Sequence, residues 1–106
     1  MKIVVLPGDG IGPETMAATV EVLQAASQRF GLDLQLDHDV AGHESLRRHG
    51  TTVTPALLAK VKAADGLMLG PMSTYDYTDE INPSRFFRKE LDLYANIRPA
   101  RTWPGV

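Results

Sequence analysis

No cysteine occurs among the 106 residues, so the chain has neither a disulfide framework nor a thiolate set for zinc or iron. Long apolar runs are missing as well. The opening MKIVVLPGDG is interrupted by Pro7 and Gly8 before it reaches the length of a signal-peptide core, and no stretch approaches the ~20 apolar residues of a membrane span. A cytoplasmic location with no membrane partner is the resulting expectation. An excess of charge of one sign is missing too: the net charge is only -2, and nothing in that balance suggests a nucleic-acid partner. There is no internal repeat and no low-complexity tract. With 43% hydrophobic and 23% charged residues, the composition is that of an ordinary globular domain able to bury a modest core.

Against these absences, the chain alternates short apolar runs with amphipathic ones, which points to the α/β class. Lys2 to Leu6 reads as a buried parallel strand. Gly12 and Pro13 open a helix with Met16, Val20, Leu23 and Phe30 on one face, stopped by Gly31. Leu32, Leu34 and Leu36 alternate as a second strand. Glu44 to His49 predicts a short helix ended by Gly50. Thr54 and Pro55 start another, with Leu58 and Val61 facing inward. Leu67 to Leu69 predicts a central strand that opens at Gly70-Pro71 onto a loop, and loops in that position bind ligands in α/β proteins. Asn82 and Pro83 start the next helix, on which Phe87 and Leu91 stack one turn apart, and Leu93 to Ile97 predicts a further strand before Pro99.

Two patterns suggest sites and are weighed first on their residues. The turn Gly8-Asp9-Gly10-Ile11-Gly12 invites a dinucleotide-binding reading, with Asp37 or Asp39 as the ribose acid. The third glycine of that fingerprint is replaced by Pro13, so a Rossmann turn fails where helix and strand must approach. His38, His43 and His49 share no helix face and make no metal set. The second pattern is the basic stretch Arg85 to Arg101. Arg88 on a helix and Arg98 at the end of a strand can converge on one small anion, each offering a planar fork to a carboxylate. The competing arrangement pairs Arg88 with Asp92 and leaves Arg98 and Arg101 solvated.

The segment FRKELDLYANIRPAR resembles the signature LRKxLDLYANxRPx of the β-decarboxylating dehydrogenases, the isocitrate/isopropylmalate dehydrogenase family. GDGIGPE is similar to that family's opening motif, and Gly70-Pro71-Met72-Ser73-Thr74 to a Gly-Pro-Leu-Thr-Thr loop of bacterial isocitrate dehydrogenases. Three motifs in the right order are far more specific than one. The resemblance implies a three-layer α/β sheet with helices on both faces, not of the Rossmann type and incomplete in this chain. It makes residues 1–106 the N-terminal part of the large domain of a longer enzyme, without the second domain, and a homodimer when full length. The implied reaction is NAD- or NADP-dependent oxidative decarboxylation of a small malate-type hydroxy acid, assisted by Mg2+ or Mn2+. Catalytic groups and metal ligands are expected outside this chain.

By the same resemblance Arg88 and Arg98 bind the malate-like carboxylates, Thr74 lies beside substrate and nicotinamide, and Ile11 lies near the nicotinamide. The sequence departs from the isopropylmalate enzymes at Asn82-Pro83-Ser84-Arg85. There the resemblance sets Asn82 and Ser84 at the substrate, where isopropylmalate enzymes place leucines at or just after Ser84. Ser84 and Arg85 are poor walls for an isopropyl group. Homoisocitrate dehydrogenases carry an arginine in the place of Arg85, facing an extra carboxylate. A small carboxylate-binding module without catalysis is the alternative expectation.

Overall fold

Val4, Val5 and Leu6 have no exposed surface, and the strand that carries them, β1 (Lys2–Leu6), is the middle of the molecule. The computed structural model describes residues 1–106. Around β1 lie α1 (Gly12–Phe30), β2 (Gln35–His38), α2 (His43–His49), α3 (Pro55–Lys62), β3 (Gly66–Leu69), a 3-10 turn at Thr74–Asp76 and α4 (Pro83–Glu90). The sheet order is β2-β1-β3. Both ladders are parallel, with Ile3 opposite Leu36 on one side and Gly66 on the other. Parallel strands buried on both faces read as continuous β-branched runs, as β1 does.

Alternation along β1 divides the core. Val4 and Leu6 join Leu57 and Val61 of α3, Phe87 of α4, Ala41 and Val53 in one apolar cluster. Val5 points to the opposite face, which leaves that face to α1, whose Met16 is buried outside the cluster. Helices thus cover both faces of a small parallel sheet. The helix starts follow from capping chemistry: Thr54 Oγ1 accepts the Leu57 amide at 3.1 Å, Asn82 Oδ1 accepts the Arg85 amide at 3.2 Å, and a proline occupies the first turn in each case.

Several expectations are corrected. Leu93 to Ile97 is not a strand; it is irregular, with Leu93, Tyr94 and Ile97 all exposed. A strand exists only as a member of a ladder, and no strand lies beside these residues. Leu67 to Leu69 does form a strand, but at the edge of this sheet and only half-buried. The second strand starts at Gln35, because its pairing begins opposite Lys2, so Leu32 falls in the preceding turn and is exposed. Phe30 is exposed at the last turn of α1, its ring under the Arg29 guanidinium at 5.7 Å.

Asp37 and Asp39 are engaged by lysines. Lys2 Nζ meets Asp37 at 3.1 Å, and Lys60 Nζ bridges Asp37 at 3.4 Å and Asp39 more closely. The hydrogen bond from Lys2 holds the Asp37 carboxyl below the usual range. Burial pushes Asp39 up, but the bonds from Lys60 and the Val40 amide outweigh it, so this carboxyl is lowered too. On the surface of α2, hydrogen bonds from Arg47 and Arg48 take Glu44 down to about 2. Depressed carboxyls stabilise the fold above their unfolded values and lose that contribution as pH falls through the folded ones. Stability should therefore hold above about pH 4.5 and decline between about pH 4 and pH 2. Lys60→Met should flatten part of that decline in thermal melts run from pH 7 to pH 2. An unchanged slope in the variant would exclude the Lys60 contribution.

Candidate functional site

α4 is an eight-residue helix anchored by Phe87, which is 2% exposed. With Phe87 turned into the core, Arg85 lies on the opposite side of the helix, and Ser84 and Arg88, one turn apart, flank the side between them. Ser84, Arg85 and Arg88 line a cleft of about 980 Å³, together with Asn82, the loop residues Met72 to Asp76, and Arg98. The six residues expected at the substrate (Thr74, Asn82, Ser84, Arg85, Arg88 and Arg98) thus meet in one concavity. Arg98 arrives there on the irregular segment after α4 instead of on a strand.

The charge state of the cleft is set by what the arginines do not do. Arg47 and Arg48 are held by Glu44, and Lys2, Lys60 and Lys62 by Asp37, Asp39 and Glu90. No carboxylate lies in ion-pair range of Arg85, Arg88 or Arg98; the competing Arg88–Asp92 pair does not form, and Arg98 Nε has only the Asn96 amide oxygen at 3.4 Å. The acid in the cleft wall, Asp76, faces His43 Nε2 at 3.3 Å. Three guanidiniums without a counter-ion line one concavity, with hydroxyls from Thr74 and Ser84 beside them, an arrangement able to accept a small anion. Because Asn82 Oδ1 is used as the helix cap, its NH2 is the group left for a ligand.

A second groove of about 1000 Å³ runs between the open side of β3 and α4. Leu67, Leu69, Met72, Phe87 and Leu91 give it an apolar floor, and Thr74, Ser84 and Arg88 line it as well as the arginine cleft, with Lys62, Asp65 and Glu90 also in its wall.

The loop carrying Thr74 is fixed by the glycine turn after β1. Gly8 has φ +84°, and a Cβ there would collide with the Pro71 carbonyl, so only glycine lets the two turns touch. The Asp9 amide then donates to Pro71 O at 2.8 Å. Ile11 is the N-cap of α1 and exposed; it stands outside the residues lining the arginine cleft. Asp37 and Asp39, engaged by lysines, are not free to hold a ribose. No group of three or more metal-binding side chains lies together in residues 1–106. No helix is long and apolar enough to cross a membrane.

Sequence reasoning missed Asp9, His43 and Tyr77, which gather behind the Thr74 loop. An acid set between Gly8 and Gly10 was the available signal. Nothing in the spacing joins position 9 to position 77.

The fold and cleft together define an α/β protein with an arginine-lined cleft at the loop following a parallel strand. More narrowly, the chain belongs to the isocitrate/isopropylmalate dehydrogenase family, whose model matches residues 2–106. It is 41% identical to a 3-isopropylmalate dehydrogenase of Anaeromyxobacter dehalogenans and 38% identical to one of Pseudomonas fluorescens, over 99% of this chain in each case. The chain spans 31% of the length of these relatives. Among solved structures, an isocitrate dehydrogenase of Methylococcus capsulatus superposes with a TM-score of 0.77 at 32% identity, over 88% of this chain and 26% of that one. A β-decarboxylating dehydrogenase of Thermococcus kodakarensis gives 0.73 at 26%, over 86% and 26%.

Proposed function

We propose that this chain supplies the substrate-carboxylate clamp of a longer dehydrogenase that oxidises and decarboxylates a malate-type hydroxy acid. The observation that carries this reading is the set of unpaired guanidiniums of Arg85, Arg88 and Arg98 around the cleft, in a chain of dehydrogenase family. Arg88 and Arg98 would each take a carboxylate by two parallel N–H bonds. Thr74, Ser84 and the Asn82 amide would orient the hydroxyl-bearing carbon, holding the substrate in one rotational state. A nicotinamide cofactor, NAD or NADP, supplies the hydride acceptor when bound; Ile11 and Thr74 are the residues of this chain that would flank it. A divalent metal, Mg2+ or Mn2+, would polarise the developing carbonyl, held by ligands outside residues 1–106. Under this reading residues 1–106 are the first part of the large domain, and the 106 residues alone are inactive. The homodimeric, cytoplasmic state belongs to the same proposal.

The substituent on the malate skeleton is the finer question. The curated relatives above are 3-isopropylmalate dehydrogenases, yet Ser84 and Arg85 line the cleft. An isopropyl group packed against an unpaired guanidinium strips it of water and returns no hydrogen bond. The full-length enzyme should therefore prefer a substrate whose substituent is polar or carries a carboxylate over one with an isopropyl group, in competition among isocitrate, homoisocitrate, tartrate, malate and 3-isopropylmalate. Arg85→Leu should move the preference toward 3-isopropylmalate by roughly tenfold or more. A preference of the unmodified enzyme for 3-isopropylmalate would overturn the pocket argument. Carboxylate binding with no turnover of any of the five would favour a non-catalytic binding module.

A further inference from the structure

The Asp9 carboxylate is 6% exposed and takes no part in the clamp just described. Its Oδ1 accepts the His43 amide at 2.9 Å. Its Oδ2 accepts the Ser73 amide at 3.1 Å and the Tyr77 hydroxyl. The turn after β1, the start of α2 and the loop after β3 therefore meet on one side chain. Packing supports the convergence: the Tyr77 ring stacks on His43 with centroids 5.0 Å apart. At Gly42 a side chain would strike both the Asp9 carboxylate and the Tyr77 hydroxyl, so the backbone is bare where they join. Burial pushes the Tyr77 phenol well above its ordinary value, with Asp9 adding to it, so the hydroxyl stays protonated and donating.

The attachment points matter more than their number. Ser73 immediately precedes the Thr74–Asp76 turn and Tyr77 immediately follows it, so one carboxylate grips both flanks of the segment that walls the arginine cleft. An ionised carboxylate is the side chain suited to this, because it accepts from three donors and donates to none. Asparagine would turn an NH2 toward one of them.

We propose that Asp9 is a positioning residue, with Tyr77 as its partner, that fixes Thr74 over the substrate cleft and ties that loop to the turn bearing Ile11. The proposal rests on the reading of the cleft as a hydroxy-acid site. A merely structural clamp would lower stability and leave the chemistry of the folded enzyme unchanged. A positioning clamp acts on how Thr74 orients the hydroxyl-bearing carbon, while carboxylate binding by Arg88 and Arg98 persists.

The test uses the full-length enzyme with Tyr77→Phe, Asp9→Asn and the double variant. Tyr77→Phe keeps the stacked ring and removes one hydroxyl, so it is the variant that remains folded if Asp9→Asn does not. Hydrogen–deuterium exchange without ligand is expected to speed up about tenfold or more in residues 70–77 and to stay unchanged in β1 and α1. In steady-state assays kcat should fall roughly tenfold, with KM for the hydroxy acid moving less than about twofold. The second substitution should add less to the first than it costs alone. Unchanged exchange in residues 70–77, or kcat at the unmodified level in folded Tyr77→Phe, would overturn the proposal. If the unmodified enzyme turns over no hydroxy acid, the functional reading falls, and the exchange measurement decides the clamp without it.

Discussion

Arg98→Lys is expected to lower kcat/KM of the full-length enzyme for its hydroxy acid by on the order of a hundredfold, with melting temperature unchanged. Lysine keeps the charge but presents a single ammonium in place of a planar fork, so one of two parallel bonds to the carboxylate is lost. A charge-assisted contact of that kind is worth roughly 2 to 3 kcal/mol, which sets the expected factor. The fold should not notice: Arg98 lies on an irregular segment, makes one long contact to Asn96 and pairs with no acid of the chain. Steady-state kinetics beside a thermal melt provide the check, and kinetics equal to the unmodified enzyme would remove Arg98 from the site. The same substitution at Arg88 separates the two positions. Arg88 is carried on a helix, so its side chain starts closer to its bound orientation.

Phe87→Ala should cost about 3 to 5 kcal/mol of folding free energy in the full-length protein, as large-to-small changes in a closed core do. Phe87 is 2% exposed and joins Val4, Leu6, Leu57 and Val61 in the main cluster. It is also the anchor of α4, the helix that sets Ser84, Arg85 and Arg88 against the cleft, and removing the ring frees that helix to shift. Substrate affinity should therefore fall along with stability, whereas Phe87→Leu, which leaves a smaller void, should cost clearly less in both. Urea denaturation and substrate titration give the two readings. A loss below about 1 kcal/mol in Phe87→Ala would mean that the site has collapsed around the void or was never closed.

What could be read from the sequence divides along a physical line. The start of α4 was legible because Asn82 and Pro83 carry their own reason, a side-chain acceptor and a fixed φ, in adjacent residues. The end of α2 was legible at Gly50 for the same local cause. Leu93 to Ile97 had the alternation of a strand and is none, since a strand depends on a neighbour that the alternation cannot supply. Arg88 could not be told from a surface arginine paired with Asp92 by spacing alone; the resemblance of RKELDLYANIRPAR to a family signature pointed to the cleft. Asp9 was invisible as a hub because its partners Ser73 and Tyr77 are reached only once the sheet has brought the two turns together.

The open side of β3 has a practical consequence. Outside its pairing with β1, this strand presents backbone donors and acceptors that no residue of 1–106 satisfies in a ladder, beside an apolar floor of Leu67, Leu69 and Leu91. Bare edges of this kind recruit other chains. A preparation of residues 1–106 alone should therefore self-associate as it is concentrated, and light scattering rising with concentration would report it. Dilute conditions would be the handling remedy for experiments on this segment by itself.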